Sequence, residues 1–82
     1  MDRAEFKRID KYIEDVEKNL EQWSTQSIVT ERNLTKLHLV IERLMHISGD
    51  AKDWQLKTSL DTLEYRARRC MRYIQARQTV RN

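Results

Sequence analysis

The chain has 82 residues, of which 39% are hydrophobic and 35% are charged, and its formal net charge is +3. This size allows one domain with a thin core, and the composition is typical of a slim helical bundle rather than a disordered chain. No apolar run approaches the roughly 20 residues of a membrane span, and the single cysteine excludes an internal disulfide. We therefore expect one helical domain over residues 1–82, with no membrane contact, in a reducing cytoplasmic compartment.

The first predicted helix covers about residues 2–23. Its apolar side chains recur at alternating spacings of three and four, at Phe6, Ile9, Ile13, Val16, Leu20 and Trp23. This spacing places them along one stripe of a helix, with acidic and basic side chains on the other faces. The stripe predicts coiled-coil-like packing against another helix.

Residues 24–30 allow two interpretations. Hydroxyl and β-branched side chains dominate this segment, and they are poor helix formers. Ser27 or Thr30 is a suitable N-cap for a second helix, so a loop here gives three helices. However, both residues also continue the spacing of the first stripe, so one long helix passing straight through remains the alternative. Because polar side chains fill two successive stripe positions, the loop is favoured.

The second predicted helix covers about residues 30–48 and is the most apolar. Its apolar side chains are Leu34, Leu37, Val40, Ile41, Leu44, Met45 and Ile47. They cover close to half of the helix circumference at about 100° per residue. A face this wide normally contacts two neighbours, which favours a central place in a three-helix bundle. The alternative is a helical hairpin that buries the surplus against a second chain.

A turn is predicted at Gly49, the only glycine of a chain that has no proline. Glycine after a periodic stretch commonly ends a helix in the left-handed conformation. Asp50 then suits the N-cap of the next helix, and Asp53 its acidic first turn. The fold prediction is therefore all-α, either an antiparallel three-helix bundle or a long helical hairpin.

The third predicted helix covers about residues 51–78. Its inner stripe comprises Leu56, Leu60, Leu63, Ala67, Cys70 and Ile74. At about 1.5 Å per residue this helix is roughly 42 Å long, and its last turns are expected to extend beyond the bundle. Those turns are basic, since residues 66–82 contain six arginines and no acidic residue.

The most informative functional pattern lies on the outer face of the third helix. Trp54, Asp61, Tyr65, Arg68 and Arg72 fall on the side opposite the inner stripe. Exposed tryptophan, tyrosine and arginine dominate the energetics of protein interfaces. The pattern predicts a partner-binding surface. Its candidate residues are Trp54, Tyr65, Arg68 and Arg72, together with Arg69 from the arginine run. The plainer interpretation is that Trp54 folds over the turn while Tyr65 lies beneath an arginine.

The arginine run also suggests a second function, binding of nucleic acid. Arginines bind phosphate through forked hydrogen bonds, and Tyr65 and Tyr73 are suited to stack on bases. Against this, basic side chains near a helix C-terminus are favoured by the helix dipole alone. Arg66 and Arg77 also flank the inner stripe, where carboxylates of the first helix are suitable partners. Nucleic acid is therefore the alternative rather than the main prediction.

Two patterns suggest reactive chemistry only weakly. His38, Glu42 and His46 share one helical stripe, but a single row rarely completes a zinc site, and a polar helix face is the ordinary explanation. Cys70 belongs to the inner stripe, where a cysteine usually serves as a small buried apolar side chain. We expect no enzyme activity, no cofactor, no metal and no small-molecule ligand.

The sequence prediction of function is a small interaction module that acts as an adaptor, a regulator or a co-chaperone. Its expected partner is another protein, one with acidic groups where it meets the arginines. The surplus apolar area of the second helix further predicts self-association as a homodimer.

Overall fold

In a computed structural model of the chain, which describes residues 2–23 and 27–81, the fold is an all-α bundle. Its helices are α1 (Arg3–Lys18), α2 (Leu20–Trp23), α3 (Ser27–Asp50) and α4 (Trp54–Arg81). The bundle measures 43 × 20 × 16 Å, so its long axis matches the length of α4. The predicted fold class is confirmed, and the closest helix pair is α3 with α4.

α1 runs antiparallel to α3, which distinguishes the bundle from a long hairpin. Near the start of α1, the Glu5 carboxylate accepts hydrogen bonds from Arg43 near the end of α3, the shorter at 2.7 Å. Further along α1, the Tyr12 hydroxyl donates to the Asn33 side-chain oxygen at 2.9 Å, near the start of α3. These two contacts place α1 and α3 side by side and antiparallel, which a single straight helix containing both would not allow.

The first predicted helix is divided in two at Asn19. Its beginning is as expected, because Asp2 is the N-cap and accepts a hydrogen bond from the Glu5 amide at 2.7 Å. The Asn19 side chain, however, donates to the Asp15 carbonyl at 2.8 Å, while its backbone amide bonds to Val16 at 3.1 Å. A side chain that competes for a backbone carbonyl in this way weakens the regular helical ladder. The prediction of one unbroken helix over residues 2–23 is therefore wrong.

α3 begins at Ser27, earlier than the predicted residue 30. Thr30 therefore lies inside the helix, where its buried hydroxyl donates to the Trp23 carbonyl at 2.6 Å. This bond ties the start of α3 to the end of α2. Of the ambiguous segment, residues 27–30 are helical, and residues 24–26 lie outside the described part of the chain.

The turn between α3 and α4 uses different residues from those predicted. Gly49 stays helical, without the left-handed backbone expected of it, and α3 continues through Asp50. The N-cap of α4 is Asp53, whose carboxylate accepts a hydrogen bond from the Gln55 amide at 3.1 Å, and not Asp50. Since a Cβ at Gly49 would meet nothing within 4 Å, the turn does not require glycine. α4 accordingly covers Trp54–Arg81 instead of residues 51–78.

The core follows the predicted apolar stripes. Its buried members are Ile9, Ile13, Val16, Leu37, Ile41, Leu44, Ile47, Leu60, Leu63, Ala67, Cys70 and Ile74. Phe6, Leu34 and Leu56 pack against this cluster at its margin. The half-buried Tyr12 hydroxyl is satisfied by Asn33, and burial raises the pKa of Tyr12 to about 12. The core therefore contains side chains from α1, α3 and α4, which hold three helices together.

Candidate protein-interaction surface

The outer face of α4 carries exposed aromatic and basic side chains along one helix. We define the α4 outer face as Trp54, Thr58, Asp61, Tyr65, Arg68, Arg69 and Arg72, on the side of α4 opposite its inner stripe. Trp54 is 76% exposed and Tyr65 is 62% exposed. Arg69 and Arg72 are exposed as well, whereas Arg68 is only partly exposed. Trp54 does not fold over the turn to become buried.

α4 holds this face on a regular backbone. Trp54 directly follows the Asp53 cap, and the Lys57 amide bonds to the Asp53 carbonyl at 3.0 Å to close the first turn. The Thr58 hydroxyl donates to the Trp54 carbonyl at 2.9 Å, one turn earlier in the same helix. Because the inner stripe of α4 is buried along most of its length, the outer side chains project from a fixed support.

The arginines of the α4 outer face differ in how they are held. Arg68 donates to the Glu64 carboxylate at 2.9 Å and reaches the Met45 sulfur on α3 at 3.1 Å. Arg69 lies 5.9 Å from the centre of the Tyr65 ring, within the range of a cation–π contact. Arg72 is exposed and has no carboxylate partner among the described residues. The face therefore combines one positioned guanidinium with two that are available to an incoming carboxylate.

Arg66 belongs to the bundle rather than to the α4 outer face. Its guanidinium donates to both Glu17 oxygens, at 2.6 and 3.2 Å, and to Asp10 at 2.9 Å. The hydrogen bonds with Glu17, followed by that with Asp10, raise the pKa of Arg66 above its ordinary value. This clamp joins α4 to α1, as the sequence interpretation of Arg66 anticipated.

The last turns of α4 do not extend beyond the bundle as far as predicted. Ile74 is fully buried, and Arg77 lines the same groove as Lys18 and Gln22. Arg77 also stacks on the Tyr73 ring at 5.6 Å and donates to its hydroxyl at 3.2 Å. α1 and α2 together are long enough to reach this turn of α4.

The two weaker sequence candidates show ordinary structural roles. His38 lies 3.1 Å from Glu42, and His46 lies 3.7 Å from Asp50, as separate pairs on the α3 surface. Within residues 2–23 and 27–81, no three metal-ligating side chains cluster to form a metal site. Cys70 is buried, and this burial raises the pKa of its thiol to about 11, which keeps it in the poorly nucleophilic neutral form.

Sequence reasoning missed a smaller exposed apolar patch on α3. Ile28 is 73% exposed and Leu39 is 59% exposed, on the side of α3 that faces away from the core. They lie three helical turns apart, with Thr35 between them, so a helical wheel that marked outward apolar positions would have found them. Met45, predicted as part of the apolar face, is half exposed and contacts Arg68.

No protein-family model, curated protein or solved structure matches this chain. Within the described part of the chain, every helix is too short or too polar to cross a bilayer. The α4 outer face is the candidate functional site, because it gathers exposed aromatic and basic side chains on one well-packed helix.

Proposed function

We propose that this protein is a small interaction module, of the adaptor, regulator or co-chaperone type, which binds another protein through the α4 outer face. The observation that carries the proposal is the exposure of Trp54 and Tyr65 on a helix that is otherwise well packed. Side chains of this size contribute most of the binding energy when a partner removes them from water. Neither side chain is needed to fill the core, so the bundle itself does not account for them.

The chemistry of the face favours a partner that carries carboxylates beside apolar groups. Arg69 and Arg72 flank Tyr65 without carboxylate partners among the described residues. Arginine pairs with carboxylates through two parallel hydrogen bonds, and its planar group also packs on aromatic rings. An acidic helix or loop with one or two apolar side chains fits this arrangement.

Nucleic acid is less well supported as a partner. Affinity for nucleic acid depends on several cations that are free to neutralise phosphates. Arg66 is instead bound by Glu17 and Asp10, and Arg68 is bound by Glu64. Two of the basic groups on which the alternative relied are therefore already neutralised within the fold.

A site-specific crosslink tests the proposed function. We would place a photoreactive phenylalanine analogue at Tyr65 and, as the matched control, at the exposed Leu39 of α3. We expect the Tyr65 position to capture a protein from an extract of the native host, and the Leu39 position not to capture it. The captured protein, once purified, should bind the wild type at least about tenfold more tightly than Tyr65→Ala, whereas Leu39→Ala should change binding by less than about twofold.

Two results would contradict the proposed function. One is capture of the same proteins from both positions, which would mean that the contacts are not confined to the α4 outer face. The other is capture of nucleic acid at Tyr65 with an affinity that falls steeply as salt rises and as Arg68 and Arg72 are removed. The second result would support the nucleic-acid alternative.

A further inference from the structure

We infer that a groove between α4 and the junction of α1 with α2 receives an apolar side chain from an acidic segment of the protein partner. We call it the Leu20 groove, and it is lined by Glu17, Leu20, Arg69, Cys70, Arg72 and Tyr73. Its volume of about 500 Å³ falls within the roughly 300–1,000 Å³ of typical binding pockets. The inference rests on the proposed function, because Arg69 and Arg72 belong both to the α4 outer face and to this groove.

Part of the lining of the Leu20 groove is apolar. Leu20 is the first residue of α2, directly after the break at Asn19, and its side chain is only half-buried against the core. Cys70 is a buried member of the core, and its thiol serves as a small apolar group. An incoming aliphatic or aromatic side chain would cover the part of Leu20 that water now contacts. Removal of apolar surface from water in this way favours binding.

The Tyr73 ring, which also lines the Leu20 groove, is held by Arg77. Its hydroxyl accepts a hydrogen bond from Arg77 at 3.2 Å, and the guanidinium lies 5.6 Å from the centre of the ring. The Tyr73 side chain is nevertheless 37% exposed. A ring that is held in place and partly exposed offers a large contact area to a partner and loses little conformational freedom on binding.

The charged groups of the Leu20 groove determine the chemistry of its occupant. Arg69 and Arg72 are exposed and have no carboxylate partner within residues 2–23 and 27–81. Of the six lining residues named above, only Glu17 is acidic. Its carboxylate already accepts two hydrogen bonds from Arg66, which offset its charge. The groove therefore combines an apolar surface with two guanidinium groups that suit incoming carboxylates.

The placement of the two arginines indicates the pattern of the occupant. Arg69 and Arg72 are three residues apart on α4, so their Cβ atoms lie about 5–6 Å apart on one side of the helix. Each guanidinium is able to bind a carboxylate through two parallel hydrogen bonds. The contact of Arg69 with the Tyr65 ring, at 5.9 Å, does not use the N–H groups in a hydrogen bond. An aliphatic or aromatic residue flanked by aspartate or glutamate residues suits both parts of the groove.

Selection from a library of short random peptides displayed on phage tests the inference. The immobilised wild type should enrich peptides in which an aliphatic or aromatic residue lies within about four positions of two acidic residues. Selection on the double variant Arg69→Glu/Arg72→Glu should instead enrich lysine and arginine beside the apolar residue. The peptide most enriched by the wild type, synthesised with a fluorescent label, is the probe for affinity measurements by fluorescence anisotropy.

The charge-reversed double variant should bind this peptide at least about tenfold more weakly than the wild type does. Lys52→Glu/Lys57→Glu is the matched control, because it makes the same change in net charge at exposed positions outside the Leu20 groove. Since salt screens charges that are distant from the bound peptide, the control should change the affinity by less than about threefold.

The apolar part of the Leu20 groove is tested by Leu20→Ala and Tyr73→Ala. Each should weaken binding of the peptide at least about fivefold, because each removes surface that the apolar side chain contacts. Tyr73 lies outside the core cluster, so its variant remains informative if Leu20→Ala lowers stability. Leu39→Ala makes the same substitution as Leu20→Ala at an exposed position of α3, and it should change the affinity by less than about twofold. Far-UV circular dichroism should show that the variants keep the helical content of the wild type.

Two results would overturn the Leu20 groove as a binding site. One is a selection on the wild type that does not enrich acidic and apolar residues over the starting library. The other is an affinity for the selected peptide that Tyr73→Ala and a folded Leu20→Ala leave unchanged. If the Tyr65-dependent capture of a protein also persists in these variants, the groove inference alone has failed and the proposed function stands.

Discussion

Ile13→Ala should lower the free energy of unfolding by about 2–5 kcal/mol, the usual cost of removing most of a buried isoleucine side chain. Ile13 has no exposed surface and belongs to the core cluster that joins α1 to the other helices. In a domain of this size, each kcal/mol corresponds to a shift of about 4–8 °C in the melting temperature. Thermal and urea unfolding followed by circular dichroism measure both quantities.

The matched control is Ile28→Ala, which makes the same substitution at an exposed position of α3. Its side chain is largely in water, so the free energy of unfolding should change by less than about 0.5 kcal/mol. Equal effects of the two substitutions would contradict the placement of α1 in the core. A hairpin of α3 and α4 to which α1 is only loosely attached would tolerate Ile13→Ala.

Arg66→Met should lower the free energy of unfolding by about 1–2 kcal/mol, because it removes the hydrogen-bonded charge that links α4 to α1. Methionine keeps most of the apolar stem of the side chain, so the loss reports the bonds to Glu17 and Asp10. The difference from the wild type should shrink in about 1 M salt, where the screening length is only about 3 Å. Urea unfolding at low and high salt measures this change.

Arg72→Met is the control for that variant, since Arg72 is exposed and has no carboxylate partner within the described residues. Its effect on the free energy of unfolding should stay within about 0.5 kcal/mol. The two variants should therefore differ: loss of Arg66 should lower stability, and loss of Arg72 should weaken association with the partner. Destabilisation by Arg72→Met equal to that by Arg66→Met would contradict the structural role given to the clamp.

The apolar periodicity was sufficient to predict the helices and most of the core. Ile13, Leu60 and Ile74 were assigned to inner stripes from spacing alone, and all three are fully buried. Such spacing is informative because a helix places every third or fourth residue on one face. Which element covers which stripe does not follow from the spacing, because α1, α3 and α4 meet through contacts distant in sequence.

Helix ends were predicted less well, because local hydrogen bonds decide them. The break at Asn19 depends on one side-chain amide bonding to the Asp15 carbonyl, and nothing in the apolar pattern signals it. Gly49 was expected to end a helix, but the cap came from Asp53 instead. Several residues near a turn were able to serve as caps, and tertiary packing selected among them.

The candidate surface was predicted in outline and its details were not. A helical wheel placed Trp54 and Tyr65 on the outer face of α4, and both are exposed. The contact of Arg68 with Met45 on α3 was not predictable, since it depends on how two helices pack side by side. The exposure of Leu39 was not predicted, because the sequence analysis considered the inward apolar face of α3 and not the apolar side chains on its outward side.

The most direct test of the central claim is a nuclear magnetic resonance titration of the wild type, assigned residue by residue, with the crosslinked partner once it is purified. If the α4 outer face is the contact surface, the Trp54 indole and the Tyr65 and Arg72 amides should shift as the partner is added. The signals of Ile28 and Leu39 on α3 should stay unchanged. Shifts confined to α3, with Trp54 and Tyr65 unmoved, would contradict the claim.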